Sequence, residues 1–212
     1  MAPLEQVRHI AGRVQRALQH TVERLLHGRR RRAAIRRLTS IWARGGDGGP
    51  GAGVTGPILV VCHGNIYRSA YAATVLRRRL GSLLDGEVIQ GGFFGPGRPA
   101  TVQAQETAAR RGIDLSQHES RLVRESDVRS ATLIVVMEQP HARRIVREFG
   151  ARSERVVILG DLDPGPIEAR GIRDPYGADP EVVAHTYDRI ERCLEVLVET
   201  MGGVDARGPL DG

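Results

Sequence analysis

The feature that most constrains this chain is an alternation. Four short apolar runs, PILVVC, GEVIQG, ATLIVVM and ERVVILG, are each followed by a stretch with helical spacing, at roughly 68–80, 101–112, 140–149 and 180–201. Short β-branched runs alternating with helices predict strands of a parallel sheet covered on both faces. Right-handed crossovers then give a doubly wound three-layer α/β sandwich with a central four-stranded parallel sheet. In such sheets ligands bind beyond the carboxyl ends of the strands. Cys62 closes the first run and stands at one of those ends.

This domain is expected to occupy 57–201, with a flexible tail over 202–212. Before it, residues 1–44 read as a basic amphipathic helical extension. Leu4, Val7, Ala11, Val14, Leu18, Val22 and Leu25 recur at spacings of three and four, an apolar stripe on a helix. Gly28 is expected to break that helix ahead of RRRRAAIRRLTSIWA. Residues 45–56, with seven glycines in twelve positions, read as a flexible linker.

Residues 1–50 hold eleven arginines against three acids, whereas the remainder holds twenty against twenty-two. The basicity is local, so the main domain is not a polycationic nucleic-acid binder. For the extension three readings stand: a solvated or frayed helix, a helix that pairs with a partner, and a helix lying on an anionic membrane surface. Ile41 and Trp42 among the arginines favour the membrane over nucleic acid. An Arg-rich, acid-poor start also suits a mitochondrial presequence, but this one is poor in serine.

Cys62 and Cys193 are too few for a disulfide framework and read as free thiols. The apolar runs are far too short to span a bilayer, and arginines interrupt every early apolar stretch. The expected location is cytoplasmic, with the extension able to hold the protein peripherally at a membrane. The chain has no lysine, which excludes a Walker A loop. Its one asparagine, Asn65, lies in the loop after Cys62.

That loop, CHGNIYRS, runs from a strand end into a helix beginning near Arg68. Its amides can curl into an anion-binding nest, and the helix N-terminus adds positive potential. Arg68 can offer a planar fork to two oxygens of a tetrahedral dianion. The same field favours a thiolate at Cys62. Ser69 can donate a hydrogen bond to the sulfur, Gly64 allows close backbone approach, and Asn65 can brace the loop. A thiolate attacking phosphorus needs a group to protonate the leaving oxygen. RDPYG, residues 173–177, supplies Asp174 on a proline-held turn.

From about Ile58 to Thr200 the chain resembles the low-molecular-weight protein tyrosine phosphatase family. The motifs that carry the resemblance are VCHGNIYRS at 61–69, MEQPHARRI at 137–145, VVILGDLDP at 156–164 and DPYG at 174–177. It implies Cys62 as nucleophile, Arg68 as phosphate ligand and Asp174 as general acid and base. His63, Gly64, Asn65, Ile66, Tyr67 and Ser69 would form the rest of the substrate loop, and Tyr176 a wall of the cleft. It further implies a phosphotyrosine protein as substrate, a bacterial-type tyrosine kinase among the candidates, with no cofactor. No paired-ligand histidine spacing suggests a metal site.

Three departures stand out. Tyr67 takes the place of a second loop cysteine that the family often has, and Ala70 that of a proline. Gln90 or a backbone group must brace Asn65 where the family commonly uses serine. His118 is expected either to help through Asn65 or Ser69 or to be a surface residue. Phe93 and Phe94 can form the cleft rim or belong to the core.

Three other activities compete. Arsenate reduction needs a cysteine relay, and only Cys193 remains. Protein-arginine phosphatases of the family tend to carry threonine where this loop has Ile66, which narrows the pocket around an aryl ester. A non-catalytic phosphotyrosine-binding adaptor would be expected to have lost the nucleophile, the arginine or the acid, and all three are present.

Overall fold

The computed structural model describes residue 22 and residues 25–43, 54–81, 84–167 and 169–202. Its centre is a four-stranded parallel sheet built from β2 (Ile58–Cys62), β4 (Val88–Gly92), β5 (Leu133–Val136) and β6 (Val156–Ile158), in the order β4-β2-β5-β6. The expected sandwich is therefore present. Alternation along the central strands explains its two cores. Ile58, Val60 and Cys62 of β2, with Leu133 and Val135 of β5, face one cluster. Leu59, Val61, Ile134 and Val136 face the other. Both faces must be apolar, which is why these strands read as unbroken apolar runs.

Helices α2 (Arg68–Leu80), α3 (Val102–Ala109) and α6 (Pro180–Thr200) cover the first face, and α4 (Glu125–Ser130) and α5 (Gln139–Glu148) the second. Thr101 caps α3 by accepting from the Ala104 amide at 3.2 Å, leaving fewer orphan donors at the helix start. Tyr71 of α2 and Tyr187 of α6 stack with ring centroids 3.8 Å apart. Two short elements were not anticipated, α4 and a separate parallel pair of β1 (Val54–Thr55) with β3 (Leu84–Asp85). Val54 and Thr55 fall in the stretch read as linker, and the linker's preceding residues lie outside the described ones.

The extension differs most from its sequence reading. A helix, α1, runs over 25–43 and passes through Gly28 without a break. A single interior glycine costs only about 1 kcal/mol, and packing offsets it. Ala34 and Leu38 join the first core, with Leu38 fully buried. His27 Nε2 donates to the Asp163 carbonyl at 2.9 Å, and Arg37 Nη1 to the Val156 carbonyl at 2.6 Å. Since β6 is an edge strand, the second bond satisfies an acceptor that no neighbouring strand reaches. The described part of the extension thus docks on the chain's own domain. Of the predicted stripe, Val22 and Leu25 are exposed, and Leu4 to Leu18 lie outside the described residues. Among the described residues no helix is long and apolar enough to cross a membrane.

A docked helix makes Leu38 part of the folding core. Leu38→Ala should destabilise the domain by about 2–5 kcal/mol in urea unfolding. A change within the error of that measurement would mean that α1 does not pack in solution.

Candidate active site

Every residue singled out in the loop and the DPYG turn converges on one place. Cys62, His63, Gly64, Ile66, Tyr67, Asp174 and Tyr176, together with Phe94 and Arg98, line a cleft of about 220 Å³. Asn65, Arg68 and Ser69 are buried beneath it. The cleft lies beyond the carboxyl end of β2 and at the N-terminus of α2, whose N-cap, Tyr67, makes no side-chain capping bond. The helix start is thus left with donors and positive potential facing the loop.

Two donors reach the Cys62 sulfur. The Asn65 amide is 3.2 Å from Sγ and the Ser69 hydroxyl 3.0 Å. Ser69 Oγ also accepts from Asn65 Nδ2 at 2.9 Å, which leaves its single O–H to share between the sulfur and the Gly91 carbonyl at 3.3 Å.

Asn65 explains its own singularity. It is the one non-glycine residue with positive φ among the described residues, at 51°, a conformation asparagine tolerates better than most. Both ends of its side chain are engaged, with Nδ2 on Ser69 and Oδ1 accepting from the Arg121 amide at 3.0 Å. A backbone group therefore does the bracing. Gln90 acts at one remove through His118, whose Nε2 lies 2.6 Å from the Asn65 carbonyl and whose Nδ1 lies 3.1 Å from Gln90 Nε2. Because a carbonyl can only accept, Nε2 carries the proton and Nδ1 accepts from Gln90.

Arg68 is 1% exposed. Its Nη1 donates to Glu138 Oε1 at 2.5 Å and to the Ile172 carbonyl at 2.8 Å, and its Nη2 to Asp174 Oδ2. Three of its five N–H groups are thereby used. One on Nη2 remains, as does that on Nε, which is buried without a partner among the described residues. Two neighbouring N–H groups suit two oxygens of a tetrahedral anion. Sequence reasoning had not assigned Glu138, although it lies within the MEQPHARRI motif.

The rim is aromatic. Tyr67 and Tyr176 meet edge to face with centroids 6.5 Å apart, and His63 stacks on Phe94 at 5.9 Å. Tyr67 is fixed by its hydroxyl donating to Gln103 Oε1 at 3.0 Å. Tyr176 and Phe94 are 71% and 62% exposed, so they can close over a flat ring at little cost. Phe93 instead packs in the second core beside His141 and Phe149, which divides the two phenylalanines between the two readings.

Gly64 is not crowded by backbone; a Cβ there would meet Arg98 Nη2 at 3.2 Å. The close approach is at Gly92, where a Cβ would lie 2.8 Å from the His63 carbonyl oxygen and 2.9 Å from the Asn65 amide. Gly92 was missed because it sits on the neighbouring strand, thirty residues from Cys62 in the chain.

The residues present meet a specific set of known proteins. A model of the family described as low molecular weight phosphotyrosine protein phosphatase matches residues 57–204. The probable low molecular weight protein-tyrosine-phosphatase EpsP of Ralstonia nicotianae is 34% identical over 142 residues, covering 66% of this chain and 92% of that protein. The crystal structure of the low molecular weight protein tyrosine phosphatase of T. tengcongensis superposes with a TM-score of 0.61 at 29% identity, covering 68% of this chain and 97% of that one. The YwlE arginine phosphatase of Geobacillus stearothermophilus gives 0.62 at 28% identity, covering 69% and 93%. This chain belongs to the low molecular weight phosphotyrosine protein phosphatase family. The matched segment begins at residue 57, so α1 lies outside it.

Two predictions follow from the loop's supports. Gly92→Ala forces a methyl group against the loop backbone, and should cost about 1–3 kcal/mol of stability together with most of the activity on p-nitrophenyl phosphate. Full activity in that variant would show that the loop can shift without consequence.

The second concerns pH. Burial, with the neighbouring Arg68 charge adding to it, pushes the His141 ring down to about 4. Burial also lowers His118, against the opposing pull of the Asn65 carbonyl. Both rings are harder to protonate in the folded chain than in the unfolded one, where they take protons below about 6.5. The unfolded state therefore binds more protons in that window, and stability falls as pH drops from about 6.5 towards 4. The urea midpoint should fall on acidification, and His141→Leu should flatten the slope. An unchanged slope in that variant would contradict the assignment.

Proposed function

We propose that the chain hydrolyses phosphotyrosine in proteins through a cysteinyl-phosphate intermediate. The observation that carries this reading is one cleft lined by a hydrogen-bonded cysteine sulfur and Asp174, above a buried arginine that bonds to that aspartate and keeps two N–H groups.

In the first step the Cys62 thiolate attacks phosphorus in line. The P–O bond to the phenol breaks, and the Asp174 carboxyl gives its proton to the departing oxygen. Arg68 and the start of α2 hold the equatorial oxygens, where negative charge gathers. In the second step the Asp174 carboxylate takes a proton from water, the oxygen attacks phosphorus, and the S–P bond breaks. Inorganic phosphate leaves and the thiolate is restored. Ser69 stabilises the sulfur at both ends of the cycle.

The aromatic rim supports an aryl substrate. Ile66 lines the cleft and offers no polar group to an N–P bond, so phosphotyrosine is preferred to phosphoarginine. The partner is a tyrosine-phosphorylated protein, of which a bacterial-type tyrosine kinase is the instance the family suggests.

Cys62→Ser should abolish hydrolysis of a phosphotyrosine peptide while leaving the unfolding curve in place. Asp174→Ala should slow turnover by about 10²–10⁴-fold for poor leaving groups and much less for good ones. Equal losses across leaving groups would remove Asp174 from the acid role. Faster turnover of a phosphoarginine peptide than of the phosphotyrosine peptide would reverse the substrate assignment.

A further inference from the structure

A second concavity lies apart from the catalytic cleft. A cavity of about 750 Å³ opens between α1 and the amino ends of the strands, bounded on the sheet side by Thr55 and Thr132. Thr132 immediately precedes β5, whereas the cleft lies past the carboxyl end of β2. At about 3.3 Å per residue, strands of this length put roughly 15 Å of sheet between the two. A substrate in the cleft does not reach this cavity.

Its walls carry four arginines, Arg36, Arg37, Arg152 and Arg155, against one carboxylate, Glu154. Two of the guanidinium groups are fixed on backbone carbonyls, and Glu154 alone offsets part of the charge. Arg37 donates to the Val156 carbonyl at 2.6 Å, and Arg155 Nη1 to the Ala131 carbonyl at 2.7 Å and the Arg129 carbonyl at 3.3 Å. Carbonyl acceptors hold a guanidinium in place but leave its net charge for another group. Arg155 Nε is buried with no partner among the described residues. Arg152 comes only within 3.7 Å of Glu154, and both are largely exposed. Ser40 of α1 adds a hydroxyl to the same wall.

Charge of one sign in a concave, partly desolvated site focuses its field and draws a counter-ion. The volume is that of a small-molecule site. Half of the arginine set comes from α1, which lies outside the family match. The α1 wall of the cavity therefore lies outside the segment that the family model matches.

We propose that the cavity between α1 and the amino ends of the sheet binds a ligand bearing a phosphate or pyrophosphate group. The shared chemistry is an anionic phosphoryl group, carried either by a soluble phosphorylated molecule or by a lipid headgroup. Arg37 and Arg155, pinned to backbone, form a preset floor. Arg36 and Arg152, on the exposed lip, close on the oxyanion. The site is separate from catalysis and stands whether or not the reaction is the one described above.

The test uses the full chain with Cys62 carboxymethylated, which fills the catalytic loop and leaves the second anion site free. Burial pushes the Cys193 thiol well above the usual range, so the reagent discriminates between the two cysteines. Calorimetric titration with inorganic pyrophosphate should show one site per chain, weakened about tenfold or more in the double variant Arg36→Ala, Arg152→Ala. The same variant, left unalkylated, should keep wild-type turnover of p-nitrophenyl phosphate. A parallel flotation assay uses vesicles of phosphatidylcholine with and without phosphatidylglycerol. Pyrophosphate binding lost in the variant supports a soluble phosphorylated ligand. Flotation that depends on phosphatidylglycerol and on the same two arginines, without pyrophosphate binding, supports the lipid headgroup. Absence of both, or binding that the double substitution leaves intact, overturns the proposal.

Discussion

A buried guanidinium is the constraint on which the rest of this structure depends. Arg68 is almost wholly removed from water, and a charge so placed is tolerable only when its donors are met by well-placed acceptors. The acceptors come from separate parts of the chain. Glu138 follows β5, while the Ile172 carbonyl and Asp174 lie on the segment between β6 and α6. Satisfying one side chain of α2 therefore draws together the carboxyl ends of several crossovers. That same gathering brings the Asp174 turn over Cys62.

The support extends outward in layers. Arg189 of α6 donates to the Gly171 carbonyl at 2.9 Å and to the Ala169 carbonyl at 2.7 Å, and its Nε meets Asp163 at 3.0 Å. The Ile172 amide donates to the Met137 carbonyl at 2.9 Å. The segment that carries Asp174 is thus tied to the last helix and to the end of β5. His27 of α1 reaches the Asp163 carbonyl in the same network, so the helix outside the family match bears on the scaffold behind Asp174 as well as on the far cavity. On the other flank, Asn65, His118 and Gln90 hold the loop from the side of β4. The preorganisation that catalysis requires is spread over all these contacts rather than lodged in the loop alone.

How much of this was legible in the sequence depends on the range of the interaction. The sheet was legible because burial on both faces writes itself as unbroken apolar runs. The loop was legible because Cys62, Asn65, Arg68 and Ser69 lie within eight residues, and their spacing encodes the turn from strand to helix. Gly92 and the Arg121 amide were not, because their roles arise only when β4 lies beside β2. Glu138 was visible as a motif letter but not as the partner of Arg68. The extension misled for a related reason. Helical periodicity in 1–44 says that a helix forms but not what covers it, and Gly28 looks like a stop only until Ala34 and Leu38 are seen in the core. Its arginines could be read as membrane-facing until one of them was found on the edge of β6.

The central claim is that this convergence makes Cys62 a nucleophile towards phosphorus. The most direct measurement is a denaturing quench during turnover of p-nitrophenyl phosphate, followed by peptide mass analysis. The account predicts one phosphoryl group on the peptide containing Cys62, attached through sulfur, and none in Cys62→Ser. Turnover with the phosphoryl group on another residue, or undiminished turnover in Cys62→Ser, would contradict it.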